Sequence, residues 1–274
     1  MVKYDRFPGG KRYALTFSYD DGGAQDRRLV ELFNKYGMKC TFNVMSSSLL
    51  NKEGKGVKSD EVKELYSGHE LSVHTVNHLH LERMSPIDQY TEIFEDKKVL
   101  ESACGEIVRG MAYPFGTYNS DTLNVMDVCG IVYGRTNVPT NNFLLPENFK
   151  IWNPTCHHNE CEPMVKRFEY NATKAPWRAG GVLYIWGHSY ELDNDDAPTN
   201  WERFEAILER LSALKDNVWF ATNIEIYDYT QALTSLRRSA DGKTLYNPTD
   251  TLVCISNNDE PVEIPPMTKV RLEQ

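Results

Sequence analysis

The sequence lacks an excess of positive charge. Its 274 residues include 30 lysines and arginines against 39 aspartates and glutamates, which gives a formal net charge of −9. Proteins that bind nucleic acid through the phosphate backbone need a cationic surface, because neutralised phosphates supply most of the affinity. The composition therefore argues against a nucleic-acid partner.

The sequence also lacks a long apolar run. No stretch approaches the roughly 18 apolar residues that indicate a membrane-spanning helix. The first eight residues, MVKYDRFP, do not contain the apolar segment of a secretory signal. We therefore expect no membrane partner and a cytoplasmic location, with a secreted protein already trimmed of its leader as the alternative.

Cysteine is too sparse to form a disulfide framework. The chain contains six cysteines, scattered from Cys40 to Cys254, whereas small secreted domains that depend on disulfides are dense in them. Hydrophobic residues make up 41% of the chain and charged residues 25%, a balance that allows a large core without cross-links. We expect a globular protein with reduced thiols.

Strand-like and helix-like segments alternate along most of the chain. Aromatic and β-branched residues at 13–19 predict a strand, and apolar residues at three- and four-residue spacing predict a helix over 26–36. Further strands are predicted at 39–44, 70–73, 107–113, 130–133, 151–153, 181–186 and 218–221, and further helices at 59–67, 85–103, 120–129, 163–173, 201–215 and 224–238. This order predicts an α/β fold, a distorted (β/α) barrel of seven or eight parallel strands.

The C-terminal segment has a different pattern. After residue 239, turn signals at Asp241-Gly242 and Asn247-Pro248 separate short alternating pieces. We predict a barrel domain over residues 1–239 and a small β-rich appendage over residues 240–274.

Three loops that follow predicted strands carry the chemistry, because active sites of such barrels lie at the carboxyl ends of the strands. Asp20 and Asp21 are adjacent, and two neighbouring carboxylates need a nearby cation to stay ionised together. His74 and His78 can face one way on a turn and share a metal ion. His188 follows a late strand and would point into the same mouth as a proton donor. Read singly, each loop has a plainer interpretation: a helix cap, a chance spacing or a buried histidine.

Read together, the loops resemble a known family. Residues 16–22 (TFSYDDG), 74–78 (HTVNH) and 183–188 (LYIWGH) are similar, in the same order, to motifs of the polysaccharide deacetylases of carbohydrate esterase family four, the NodB-homology domain. The resemblance extends over about residues 13–226, and it implies a divalent metal, usually zinc and sometimes cobalt or nickel. By that resemblance the metal ligands are Asp21, His74 and His78, the general base is Asp20, and the general acid is His188.

One family motif is matched only in part. Residues 112–116 (AYPFG) resemble an Arg-x-Pro-Tyr/Phe-Gly motif, but Ala112 stands where the family has the arginine that orients the base. Arg109 lies three residues too early, and either Arg135 or Arg178 could replace the missing arginine. The backbone N–H of Phe115 would stabilise an oxyanion.

Aromatic residues around the loops suggest sugar contacts. We predict substrate binding by Tyr19, Tyr118 and Trp186. The family's tryptophan motif beside the acid histidine has no clear match, and Trp152 and Trp177 are the nearest candidates. Residues 156–161 (CHHNEC) contain metal-ligand types, but their spacing does not fit a common zinc pattern. We expect a rim loop there.

These features predict an enzyme, a metal-dependent amidohydrolase that removes acetyl groups from N-acetylated sugars. Amide hydrolysis needs an activated water, charge stabilisation and a proton for the leaving nitrogen, and the three loops supply groups for each. Two alternatives stay open at this point. One is a hydrolase of a non-sugar amide or cyclic imide on the same fold, and the other is a catalytically silent carbohydrate-binding protein.

Overall fold

The computed structural model describes residues 1–175 and 178–272. Its strands are β1 Val2–Lys3, β2 Tyr13–Asp20, β3 Cys40–Val44, β4 Glu70–Val73, β5 Gly110–Ala112, β6 Tyr133–Arg135, β7 Cys156–His157, β8 Gly181–His188, β9 Val218–Phe220, β10 Arg237–Arg238, β11 Thr244–Tyr246, β12 Val253–Asn257, β13 Glu260–Ile264 and β14 Lys269–Arg271. Its α-helices are α1 Asp26–Lys35, α2 Ser46–Leu50, α3 Val62–Leu65, α4 Pro86–Cys104, α5 Ser120–Val128, α6 Glu162–Lys174, α7 Trp201–Ser212 and α8 Asn223–Thr234.

Eight parallel strands form the central sheet. Their order is β6-β5-β4-β3-β2-β8-β7, and β9 pairs with the first half of β2. The sheet curls so that its two edges approach each other. At one edge Arg135 of β6 forms a parallel bridge with Trp152. A few residues after Trp152, β7 at the other edge pairs with β8. The predicted distorted (β/α) barrel is confirmed.

Strand β2 shows how the barrel separates two environments. Its odd-numbered side chains, from Tyr13 to Tyr19, pack outward in the core between sheet and helices. Its even-numbered side chains face the barrel interior. There Thr16 donates a hydrogen bond to the Asn223 side chain, and Ser18 accepts one from the Asn43 side chain. Because side chains alternate along a strand, Asp20 ends the strand pointing into the barrel.

The C-terminal segment packs against the barrel. Strand β1 joins β12 and β13 in one small sheet, and β10, β11 and β14 form another. A second core combines barrel residues such as Ala14 and Tyr184 with Val253, Ile255 and Ile264. The division at residue 239 stays a prediction.

Several element boundaries differ from those expected. Strand β6 begins at Tyr133 rather than residue 130, because Gly130 has a φ of 68° and ends α5 instead. Helix α3 is only one turn. Where a strand was expected over residues 151–153, Ile151 ends a 3₁₀ turn that begins at Phe149, and Trp152 forms an isolated bridge. Strand β7 was not predicted, because its two residues pair only through their place beside β8. None of the helices in the described ranges is apolar over a length that would cross a membrane.

Candidate active site

The three loops singled out in the sequence meet at the carboxyl ends of β2, β4 and β8. Asp20 is in register with His188 on one side and with Asn43 on the other. Its Oδ2 lies 3.9 Å from both His188 Nε2 and His74 Nε2. The parallel sheet therefore brings together residues that are more than a hundred positions apart in the chain.

Asp21, His74 and His78 form a group that fits a metal ion. Asp21 Oδ1 lies 3.5 Å from His74 Nε2 and 4.0 Å from His78 Nε2. Asp21 Oδ1 and His74 Nε2 are buried and have no hydrogen-bond partner, although buried polar atoms are normally paired. His74 Nδ1 lies 2.9 Å from the Ala112 carbonyl oxygen. This contact fixes the proton on Nδ1 and leaves Nε2 with a free lone pair, as a metal ligand requires.

Acidic side chains of α4 hold the histidine loop in place. Asp96 accepts a hydrogen bond from the backbone N–H of His74 at 3.0 Å. Glu92 accepts two from Asn77, from its backbone N–H at 2.8 Å and its side-chain amide at 2.7 Å. Sequence reasoning missed these two carboxylates, which lie on the buried face of a helix that was otherwise correctly predicted.

Strained backbone is concentrated in the same loops. Asp21, Thr75, His78 and Phe115 have φ values of 82°, 66°, 54° and 57°. Residues other than glycine pay roughly 1 kcal/mol or more for this left-handed region, and such strain clusters at functional sites. The fold therefore keeps these side chains in specific directions at a cost in stability.

Asp20 is a buried carboxylate with a buried cationic partner. One terminal nitrogen of Arg135 contacts both carboxylate oxygens, and Asn43 donates a hydrogen bond to Oδ1 at 2.8 Å. Burial by itself raises the pKa of Asp20, but the charge of Arg135, with smaller contributions from His74 and His188, outweighs it and lowers the pKa to about 2. Asp20 is therefore ionised at neutral pH.

Arg135 occupies the place that Ala112 leaves vacant. The two residues are direct partners on the neighbouring parallel strands β5 and β6, so their side chains face the same interior. The Arg135 guanidinium is fully buried and its central carbon lies 4.6 Å from the ring centroid of Trp186. The other candidates lie elsewhere: Arg109 pairs with Asp228, and Arg178 lies near Tyr13 at the opposite end of β2.

Glu191 contacts His188 on the side of the imidazole ring opposite Asp20. Its Oε2 accepts a hydrogen bond from the His188 backbone N–H at 3.0 Å and lies 3.3 Å from His188 Nδ1. Burial lowers the pKa of His188, but Glu191, Asp20 and Asp21 offset this and raise it above its usual value. Glu191 was not predicted; a carboxylate three residues after the histidine was the available signal.

His157 also approaches Glu191, which makes a second group of possible metal ligands with His188. The backbone N–H of Asn159 donates to His157 Nδ1, so the ring proton lies on Nε2, 3.0 Å from Glu191. This nitrogen donates to the carboxylate and has no lone pair for a metal ion. We therefore assign the group to hydrogen bonding.

Comparison with known proteins identifies the family. The sequence model of polysaccharide deacetylase matches residues 6–134. Residues 6–134 belong to the polysaccharide deacetylase family. YxkH of Bacillus subtilis (strain 168), which bears a polysaccharide deacetylase name, is 30% identical over 142 residues, 51% of this chain and 49% of YxkH.

Two further relatives extend the comparison. The peptidoglycan-N-acetylglucosamine deacetylase PgdA of Listeria monocytogenes is 28% identical over 40% of this chain and 22% of its own length. The solved structure of the peptidoglycan deacetylase PdaC from Bacillus subtilis superposes with a TM-score of 0.53 at 16% identity, over 80% of this chain and 92% of PdaC. The PdaC likeness shows the deacetylase fold. The chain spans about half or less of the curated relatives YxkH and PgdA.

Not every aromatic residue predicted for the candidate site reaches it. Tyr19 is fully buried outside the barrel, stacked on His158, because the inward direction of Asp20 turns its neighbour outward. This corrects its predicted role in substrate binding. Tyr118 stacks on Tyr113 and is partly buried, whereas Trp186 is partly buried in the mouth, 5.7 Å from the His188 ring.

The structure also shows where the other residues named in the sequence analysis lie, with one exception. Trp152 is buried in the barrel core, where its ring packs against those of Tyr133 and Tyr184. Trp177 lies outside the described residues. Cys156 and Cys161 are buried in the hydrophobic core, and burial raises the pKa of both thiols. They are therefore packing residues of this deacetylase fold.

Proposed function

We propose that this protein is a metal-dependent carbohydrate N-deacetylase, which hydrolyses the acetamido group of an N-acetylated sugar. Asp21, His74 and His78 would hold one divalent ion, for which zinc is our first choice and cobalt or nickel the alternatives. Bound there, the ion would polarise the acetyl carbonyl and make a water molecule more acidic. One observation carries the proposal: an ionised Asp20 lies between this ligand group and His188.

Each further step belongs to a side chain or backbone group of this chain. Asp20 takes the proton of the attacking water, and Arg135 keeps it ionised and oriented. The Phe115 N–H donates to the oxygen that becomes negative in the tetrahedral intermediate. His188 donates a proton to the leaving nitrogen from Nε2, while Glu191 holds the opposite side of the ring.

The two alternatives have less support. A silent binding protein does not need an ionised carboxylate and a histidine of raised pKa beside a ligand group. The PgdA relative is named for acetamido hydrolysis on a sugar, which favours an N-acetylated sugar over a cyclic imide.

The function is tested by measuring acetate release. We expect release from N-acetylglucosamine oligosaccharides, loss of release after treatment with a chelator, and recovery when zinc is restored. His74→Ala should give no recovery, because it removes a ligand. Hydrolysis of cyclic imides without acetate release from the sugars would favour the first alternative, and no hydrolysis of either would favour the binding protein.

The role of His188 predicts a difference between leaving groups. An amine must be protonated as it leaves, whereas a phenolate leaves without help. His188→Ala should therefore lower kcat/KM for the acetamido sugar by about 10²–10⁴-fold and for an activated phenyl acetate far less. Equal losses on both substrates would contradict the general-acid role and indicate positioning instead.

A further inference from the structure

The carboxylate that contacts His188 is also approached by two other histidines. Glu191 Oε2 lies 3.0 Å from His157 Nε2 and 3.4 Å from His158 Nε2, in addition to its two contacts with His188. His157 and His158 belong to residues 156–161 (CHHNEC), a motif that the proposed mechanism does not use. Three imidazoles therefore lie around one carboxylate beside the candidate proton donor.

His158 is fully buried, and Tyr19 determines which of its nitrogens carries the proton. Burial, together with the neighbouring His157, lowers the pKa of His158 to about 3, so the ring is neutral at neutral pH. Burial also raises the pKa of Tyr19 well above its usual value, so the hydroxyl keeps its proton. Tyr19 Oη lies 3.1 Å from His158 Nδ1. The hydroxyl therefore donates to Nδ1 and leaves the ring proton on Nε2, whereas the opposite tautomer would place a lone pair against the Glu191 carboxylate.

The His158 ring is packed tightly in this position. A Cβ on Gly187 would lie 2.1 Å from His158 Nδ1, so the ring lies directly on the backbone of β8, one residue before His188. Tyr19 stacks on the ring with the centroids 5.7 Å apart. The His158 carbonyl accepts a hydrogen bond from the Thr199 hydroxyl at 2.9 Å. The buried ring is thus fixed relative to the strand that carries the candidate donor.

His157 makes the closer contact with the carboxylate. Its ring proton lies on Nε2, because Nδ1 accepts from the Asn159 backbone, and Nε2 donates to Glu191 at 3.0 Å. Burial by itself raises the pKa of Glu191, but the hydrogen bonds from His157 and His188 outweigh it and hold the pKa below its usual range. The carboxylate is therefore ionised, and its position beside His188 Nδ1 depends on groups outside its own turn.

We propose that His157 and His158 are positioning residues, which hold the Glu191 carboxylate against the Nδ1 side of His188. An ionised partner at Nδ1 fixes the orientation of the imidazole and directs Nε2 toward the leaving nitrogen. Tyr19 belongs to the same arrangement, because it fixes the tautomer of His158. The proposal rests on the proposed deacetylase function and adds to it three residues that act on the proton donor through Glu191.

The test compares two substrates of the zinc-loaded protein. His157→Phe removes the donor to Glu191 and keeps an aromatic ring. It should lower kcat/KM for an acetamido sugar by about 10- to 100-fold, the usual loss for a hydrogen bond to a charged group. The loss for an activated phenyl acetate should be far smaller, since a phenolate leaves without a proton. His157→Gln, which keeps an N–H donor, should recover part of the loss. Tyr19→Phe should give the same pattern with a loss of about 2- to 12-fold.

A double variant tests whether His157 acts through Glu191. His157→Phe combined with Glu191→Ala should be no slower on the acetamido sugar than Glu191→Ala alone, because a positioning residue has no effect once the group that it positions is removed. Additive losses would overturn the inference, and so would equal losses on the two substrates in the His157 and Tyr19 variants.

His69→Phe supplies the matched control. His69 is also partly buried, and its Nδ1 accepts a backbone hydrogen bond, from Cys40 at 3.2 Å, but it lies at the amino end of β4. This variant should leave kcat/KM unchanged for both substrates. A selective loss on the acetamido sugar in His69→Phe would show that any histidine replacement gives the pattern, and would overturn the inference.

NMR of ¹⁵N-labelled histidine side chains tests the contacts without turnover. His158, whose signals are identified by their loss in His158→Gln, should carry a proton on Nε2 and none on Nδ1. The opposite tautomer would overturn the inference and leave the deacetylase function intact. Absence of acetate release from every N-acetylated sugar, with the expected tautomer present, would instead overturn the proposed function.

Discussion

Replacing Asp20 with asparagine should lower turnover of an N-acetylated sugar by about 10²–10⁴-fold, the usual contribution of a general base. The zinc content should not change, because the proposed ligands are Asp21 and the two histidines His74 and His78. Turnover and metal content are measured on the same preparation. Loss of zinc would mean that Asp20 and Asp21 have the opposite roles, and retained turnover would place the base elsewhere.

This substitution also leaves a buried guanidinium without its partner, so stability must be controlled. Asp20→Asn combined with Arg135→Met removes both charges, and replacing a whole buried ion pair is often close to neutral. The double variant should melt nearer to the wild-type temperature than Asp20→Asn does and should stay inactive. Recovery of turnover together with stability would show that Asp20 acts through the fold and not as a base.

Arg135→Met alone should destabilise the protein by about 3–5 kcal/mol, since it leaves the Asp20 carboxylate buried and unpaired. For a chain of this size the melting temperature should fall on the order of 10 °C. Without Arg135 the pKa of Asp20 should rise, because burial then acts unopposed, and turnover should fall as well. Thermal unfolding and turnover measure the two effects, and unchanged values of both would contradict the pairing.

Moving the arginine back to the family's position gives a sharper test. Ala112→Arg combined with Arg135→Ala places a guanidinium on the adjacent strand, where its side chain faces the same interior. The double variant should recover turnover relative to Arg135→Ala, because the role depends on the position of the charge and not on the strand that carries it. No recovery would indicate that the contact with Trp186 is also required.

The sequence was sufficient for the architecture and for the three loops. Alternating strands and helices require a parallel sheet, and in a parallel sheet all the strand ends lie at one edge. Asp20, Asp21, His74, His78 and His188 follow such strands and were therefore expected together. Successive side chains of a strand point to opposite faces. Because Asp20 points inward, this rule predicts that its neighbour Tyr19 points outward, as the structure shows.

The identity of the arginine could not be read from the sequence. Arg135 and Arg178 were equal candidates, because which residue faces Asp20 depends on the pairing of β5 with β6 and on the inward face of β6. The two-residue strand β7 could not be predicted for the same reason, because Cys156 and His157 form a strand only by pairing with β8.

The sequence by itself determined the fold class and the residue types at the strand ends, because local periodicity and turn signals act between near neighbours. Only the tertiary structure decided which charge pairs with Asp20, that Glu191 braces His188, and which aromatic rings stay exposed at the mouth. These contacts join residues from separate loops or depend on the direction of a turn, and their free energy depends on burial that exists only once the barrel has closed.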